Sequence, residues 1–174
     1  MILSNYLKLM EVISNYGAID TTKTVDTTIV DTTGSNINKF LLGNSGSGNR
    51  VAAGKNKAIR FETTIVIGTG DTEVDFDDYS LANDITSMIL NATQTHVTAF
   101  EDEQFKTQYT LTGSNTTGNT FTVKEVGIIK PMYYLDNSNY LNSTNVLLAR
   151  RLLDSPITVE DNGSFMVTFQ WNED

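Results

Sequence analysis

Few residues in this chain are of a type that does chemistry, and none is set in a spacing that completes a reaction centre. His96 is the only histidine, so a Ser–His–Asp triad or a histidine metal site would have to use it. It stands in TQTHVTAF, far from any nucleophile-elbow pattern, and is expected as a solvent-facing strand residue. GTGDTEVDFDD at 68–78 supplies Asp71, Asp75, Asp77 and Asp78. Carboxylates that dense offer oxygens to calcium, which takes about six to eight of them, but the spacing is not that of an EF-hand. GNSGSGNRVAAGKN has the glycines and the lysine of a phosphate-binding loop. Five residues separate Gly48 from Gly54-Lys55, one more than that loop has, and Asn56 stands where a Ser or Thr would hold magnesium. Glu101, Asp102 and Glu103 read as a solvated turn. An enzyme is not expected, and neither a metal nor another cofactor is called for.

Composition narrows the partners. The 174 residues carry a net charge of −9, which argues against whole-chain attraction to nucleic acid or to an anionic membrane. The basic spots, Lys55 with Lys57 and Arg60, and Arg150 with Arg151, lack the interleaved aromatics of a single-strand groove. Cysteine is absent, which removes disulfides and thiolate metal sites. No window approaches the roughly 18 apolar residues of a membrane span. The start, MILSNYLKLMEVIS, is too polar for a secretory core and has no small-residue cleavage site, so the sequons at Asn91, Asn115, Asn142 and Asn162 carry no weight. Synthesis in the cytoplasm is expected, with the protein kept there or carried outside by something else.

The elements that must position these residues are mostly strands. The 25 Thr and 17 Asn suit β structure with hydrogen-bonding loops. Phe165, Val167, Phe169 and Trp171 alternate with Ser164, Met166, Thr168 and Gln170, the period of a strand with one buried face. Ile59–Ile67, Phe105–Leu111 and Phe121–Glu125 alternate in the same way, and His96–Phe100 adds another. VLLARRLL within 145–153 is read as a strand rather than a two-turn helix, because Pro156 and the Asp161-Asn162-Gly163 turn follow. Pro131 and Pro156 are expected at strand breaks, and Leu81–Leu90 fits a short helix or an irregular strand.

Residues 3–16 predict an amphipathic helix, with Leu3, Leu7, Met10 and Ile13 as its stripe, widened by Tyr6 and Leu9, and a candidate assembly surface. Residues 20–57 predict an extended arm with one or two short strands, flexible by composition at GNSGSGN. The expected fold is mainly β: an antiparallel sandwich, jelly-roll-like or a partly open barrel, with the short helix and the arm in front. The expected division is a helix and assembly arm over 1–57 and a β domain over 58–174. Tyr133, Tyr134 and Tyr140, in an Asn-rich stretch, are candidate subunit contacts, or candidate stacking partners for a glycan. That gives two function classes: an assembly protein, and a carbohydrate- or receptor-binding module as the alternative.

IGTGDTEVDFDDYSLAND (67–84), FTVKEVGIIKP (121–131) and NVLLARRLLDSPITVEDNGSFMVTFQW (145–171) together resemble small structural proteins of tailed-bacteriophage particles. The ordered set is a GTG turn leading into D-Y-x-L, a strand with E-V-G-I, an L-x-A-R strand, a Pro-I-T-V segment and a final alternating strand. It covers roughly residues 58–171. Gly68 and Gly70 are expected to give a tight bend with positive φ, and Gly127 to leave room for a close neighbour. The resemblance implies a non-enzymatic virion protein, at the tail, neck, baseplate or fibre attachment rather than as a head decoration. Its partners would be copies of itself and other virion proteins, gathered under closed symmetry.

Overall fold

The computed structural model describes residues 1–16, 22–41, 63–101, 104–135 and 141–173. Among them are one α-helix, α1 (Ser4–Tyr16), and eight strands: β1 (Thr22–Val30), β2 (Asn36–Leu41), β3 (Thr64–Gly68), β4 (Ile89–Glu101), β5 (Gln104–Asn115), β6 (Phe121–Leu135), β7 (Leu141–Val159) and β8 (Ser164–Glu173). The chain is mainly β with one short helix, and its resolved strand registers are antiparallel. One sheet runs β1-β2-β6-β3, with β7 also paired to β6, and a second runs β4-β5-β8. Contacts divide the chain into two units. The first holds Met1–Thr63, Asp75–Ser80 and Ile129–Ala149; the second holds Thr64–Val74, Leu81–Ile128 and Arg150–Asp174. The expected boundary at 57/58 lies outside the described residues.

In the first unit the core is a cluster of Leu9, Ile29, Ile37, Met132, Val146 and Leu148, with Tyr6 packed against it. Asn5 docks α1 on β1: its Nδ2 donates to the Val30 carbonyl at 2.7 Å and its Oδ1 accepts from the Val30 N–H at 3.1 Å. A buried amide is tolerated there because both of its ends are used. Ahead of the helix, the Leu3 N–H donates to the Leu148 carbonyl at 3.0 Å and Ile2 bridges Ala149. Leu3 is therefore an extended residue, out of phase with the helix. That splits the expected stripe. Leu3 is fully buried, while Leu7 and Met10 are 52% and 44% exposed; the side chain of Ile13 lies outside the described residues. The stretch expected as an arm contains β1 and β2, joined at a turn organised by Asp31, and residues 42–57 lie outside the described residues.

In the second unit β8 bears out its alternation from Ser164 to Gln170; the side chain of Trp171 lies outside the described residues. Phe165, Val167 and Phe169 are buried and Met166 is 63% exposed. Their direct partners on β5 are Gly113, Leu111 and Tyr109, and Phe121 meets Phe165 edge-on with centroids 6.2 Å apart. The opposite face is a grid of short polar side chains, with Thr95 across from Thr110 and Thr110 across from Thr168. Asn115 closes one end of the unit. Its buried amide serves the carbonyls of Asn119, Val159 and Glu160, while its oxygen accepts from the backbone and hydroxyl of Thr117. One of the turns it ties is the Asp161-Asn162-Gly163 turn read from sequence, and φ is positive at Asn162 and, in the other turn, at Gly118.

The expectation for the prolines is corrected. Pro131 and Pro156 do not break strands; they lie inside β6 and β7. A proline fits a strand wherever its missing donor leaves no ladder partner unmet, and Pro156 is exposed. The region Leu81–Leu90 resolves into a 3-10 turn at Thr86–Met88 that leads straight into β4.

Candidate functional site

Among the described residues, a buried charged pair gathers motifs that are far apart in sequence. β6 alternates Val123 and Glu125 toward one interior, so a carboxylate occupies a core position at 0% exposure. β7 brings Arg150, 1% exposed, to meet it. The Arg150 Nε donates to Glu125 Oε2 at 2.8 Å. The remaining lone pairs of the carboxylate face the loop between β3 and β4. Oε1 accepts from the backbone N–H of Gly70 at 3.1 Å and of Asn83 at 2.9 Å, and Oε2 accepts from that of Ala82 at 3.1 Å. Arg150 continues outward, with Nη2 donating to the Thr72 carbonyl at 2.9 Å and Nη1 reaching the Glu73 carbonyl at 3.5 Å.

The pair therefore works as an adapter. A loop without regular structure has N–H groups and carbonyls that need partners. Glu125 takes the N–H groups on one side and Arg150 takes carbonyls on the other. The loop's own bonds finish the accounting: Thr69 N–H to the Asn83 carbonyl, Asn83 Nδ2 to Thr69 Oγ1, and Thr86 N–H to Asp84 Oδ1. β3 is held to the same segment, with the Ile85 N–H on the Ile67 carbonyl and the Ile67 N–H on Thr86 Oγ1.

The two glycines of the GTG turn are needed here for a reason other than the expected one. Neither takes positive φ. What they provide is room. A Cβ on Gly70 would stand 2.6 Å from Glu125 Oε1 and 2.5 Å from the Ala82 Cβ, and one on Gly68 would stand 2.6 Å from the Asn83 carbonyl oxygen and closer still to Glu125 Oε1.

The residues singled out for chemistry do not converge. Asp71 pairs with Lys124 at 2.7 Å, and that ammonium holds its carboxyl below the usual aspartate value. Asp75 and Asp78 cap their own turn, through Asp77 N–H to Asp75 Oδ1 and Asp75 N–H to Asp78 Oδ2. No three metal-ligating side chains cluster among the described residues. His96 is exposed on β4 and stacks on Tyr109 with ring centroids 6.0 Å apart. A shallow cleft of about 330 Å³ lined by Val126, Arg151, Leu153, Asp154, Ser155 and Thr168 has its two charges already joined, Arg151 to Asp154 at 2.8 Å. Tyr133 and Tyr134 lie on β6, where Tyr134 pairs with Phe40 through the backbone. Their side chains, and Tyr140 altogether, lie outside the described residues.

Compared with family models, with curated proteins and with solved structures, the chain finds no match. What remains is the geometry. It joins Gly68 and Gly70 of the GTG turn, Ala82 and Asn83 to the buried pair formed by Glu125 of E-V-G-I and Arg150 of L-x-A-R. A signal for it was present in the sequence: a glutamate in the core phase of an alternating strand, which requires a buried cation or several donors.

A second feature of the first unit is exposed. Met1, Ile2, Leu7, Met10, Phe76 and Tyr79 are all large, apolar and more than a third exposed. The Ser4 N–H donates to the Phe76 carbonyl at 2.9 Å, so the 75–80 segment abuts the start of α1.

Proposed function

We propose that this protein is a non-enzymatic structural component of a tailed-bacteriophage particle, at or near the tail, assembled as a symmetric oligomer around a β-sandwich body. The observation that carries the reading is the Glu125–Arg150 construction. Three of the ordered motifs that resemble phage structural proteins, the GTG turn, E-V-G-I and L-x-A-R, meet in a single device. A charged pair that is almost wholly buried, with its partners supplied by the chain itself, keeps a loop in shape; it has no face to offer a substrate. The exposed apolar side chains on α1 and the 75–80 segment suit a protein whose work is contact with neighbours, since contiguous apolar surface marks interaction sites. The sandwich is supported by the alternate burial along β8 and by the approach of β3 to β5 within the second unit.

The test is the solution mass of the full chain by light scattering on a sizing column, followed by imaging of any discrete species. A closed ring or trimer, at an integral multiple of 19.2 kDa, supports the reading. A monomer at every concentration tried overturns symmetric self-assembly.

A further inference from the structure

We infer that Asn162–Gly163, in the turn between β7 and β8, is a self-modifying site. It deamidates only when the turn opens, and its isoaspartyl product unties that end of the second unit.

The turn itself selects the two residues. Asn162 has φ 61°, in the left-handed region where asparagine is among the few side chains regularly found. A Cβ on Gly163 would stand 2.8 Å from the Glu160 carbonyl oxygen, so the position suits glycine. Asn162–Gly163 is the single Asn-Gly pair in the sequence, and it is the pair best able to cyclise. The backbone nitrogen after an asparagine can attack the side-chain Cγ, and a glycine nitrogen, with no Cβ beside it, is the least hindered.

The atoms balance with water as the one co-reactant. A base takes the Gly163 amide proton, the nitrogen bonds to Asn162 Cγ, and the Cγ–Nδ2 bond breaks. The Nδ2 group leaves as ammonia, taking a proton back from the base. A five-membered imide remains, and water opens it at either carbonyl. Cleavage between the nitrogen and Cγ gives aspartate. Cleavage between the nitrogen and the main-chain carbonyl carbon leaves the backbone running through Cγ, which is isoaspartate. Nothing is oxidised or reduced.

The formed turn opposes the first step. The Gly163 N–H donates to the Glu160 carbonyl at 2.8 Å, and Asn162 Nδ2 donates to Asp161 Oδ2 at 2.9 Å. The imide keeps neither donor, since its nitrogen carries no hydrogen and Nδ2 has gone. The peptide is also held from both sides. The Asn162 N–H donates to the Asn115 carbonyl at 2.7 Å, the Asn115 N–H to the Gly163 carbonyl at 2.8 Å, and the Gly118 N–H to Asp161 Oδ1 at 3.0 Å. Cyclisation therefore follows the fraction of chains in which this turn is open.

The product does not fit back. Isoaspartate inserts one more backbone carbon between the Asn162 N–H and the Gly163 carbonyl, the two groups that face Asn115. The pairing of β8 with β5 begins at the next residue, Ser164 opposite Ser114, so the added length falls where the register is set. Aspartate restores the backbone and changes only the charge of an exposed side chain.

The experiment uses the full chain at mildly alkaline pH, folded in buffer and unfolded in urea. Peptide mapping follows Asn162, with Asn142–Ser143 as the internal reference. In urea Asn162 should convert ahead of Asn142. In the folded chain it should convert at least about tenfold more slowly than in urea, as two modest hydrogen bonds imply. The isoaspartyl chain, separated from the folded sample, should exchange faster at the Asn115 and Gly163 amides, whereas Asn162→Asp should exchange as wild type does. Equal rates in buffer and urea would overturn the closure by the turn. Conversion in urea no faster than at Asn142 would overturn the site, and an isoaspartyl chain with wild-type exchange would overturn the untying. The rate comparison needs no variant, so it decides the matter even where a substituted chain fails to fold.

Discussion

Replacing Arg150 by methionine asks how much of the fold hangs on the buried pair. The substitution keeps most of the side-chain volume and removes the guanidinium, leaving the Glu125 carboxylate buried with three backbone N–H donors. Breaking a buried pair from one side costs about 3–5 kcal/mol. Three N–H bonds support a carboxylate's charge, and the Thr72 and Glu73 carbonyls sit in a partly buried setting where water can replace the lost donors. Both facts move the expected loss to the lower end, about 3 kcal/mol. With a urea slope of about 2 kcal/mol/M, that moves the unfolding midpoint by about 1.5 M.

Glu125→Gln is no milder, although it is nearly isosteric. Each carboxylate oxygen serves two donors, Oε1 those of Gly70 and Asn83 and Oε2 those of Ala82 and Arg150. An amide has one oxygen, so whichever way it turns its NH2 opposes two donors. Two orphaned donors at about 1–3 kcal/mol each give about 2–6 kcal/mol. In the double variant the amide NH2 turns into the space vacated by the guanidinium, so the double costs less than the sum of the singles by about 0.5–3 kcal/mol. Urea unfolding gives the cycle, and hydrogen exchange at Gly70, Ala82 and Asn83 reports whether the loop has opened. An Arg150→Met loss under about 1 kcal/mol with those amides still slow, or strict additivity of the two substitutions, would refute the reasoning.

Three further outcomes are expected. Gly70→Ala puts a methyl against Glu125 and Ala82 and should cost about 1–3 kcal/mol by overpacking, read as a shift of the thermal midpoint; an unchanged midpoint would show that the loop has room. Phe169→Ala should cost about 3–5 kcal/mol while Met166→Ala stays within about 0.5 kcal/mol, and equal effects in urea would defeat the assignment of faces on β8. Asp31, raised by burial but lowered further by hydrogen bonds from Thr33, Ser35 and Thr144, has its carboxyl held below the ordinary 3.8. Its stabilisation is therefore full above that value and disappears as pH falls through the lower folded one. Asp31→Asn should be less stable than wild type by about 1–3 kcal/mol at neutral pH, with the gap narrowing in acid unfolding below about pH 4.

Much of the fold was legible because strand alternation is a one-dimensional signal. Phe165, Val167 and Phe169 are read correctly since their period alone decides their side. VLLARRLL is settled as strand by the turn residues that follow it. The stripe on α1 misleads for a local reason: Leu3 has the spacing of a helical residue but is bonded to Leu148 before the helix begins, so the phase counted from it is wrong, and Leu9 with Asn5 forms the docked face. The prolines mislead because a rule about donors was applied without knowing which donors the ladder uses. Gly68 and Gly70 show the deeper limit. A glycine required for φ and a glycine required for space look alike in sequence, and the second kind is visible only once Glu125, 55 residues beyond Gly70, is known to be its neighbour.

The same pairing explains why an ion pair stands where apolar residues would ordinarily serve as well. Well-packed hydrophobic substitutes for a buried salt bridge are often neutral or stabilising, because the desolvation of both charges is avoided. That holds when the charges serve chiefly each other. Glu125 and Arg150 share a single bond, while together they serve three backbone donors and two backbone carbonyls of the β3–β4 loop. An apolar pair would strand those donors, and each buried unmet group costs about as much as a hydrogen bond is worth at its strongest in the fold. The loop could escape that cost only by becoming regular structure or by opening to water. The charge pair is thus kept for the shape of the loop.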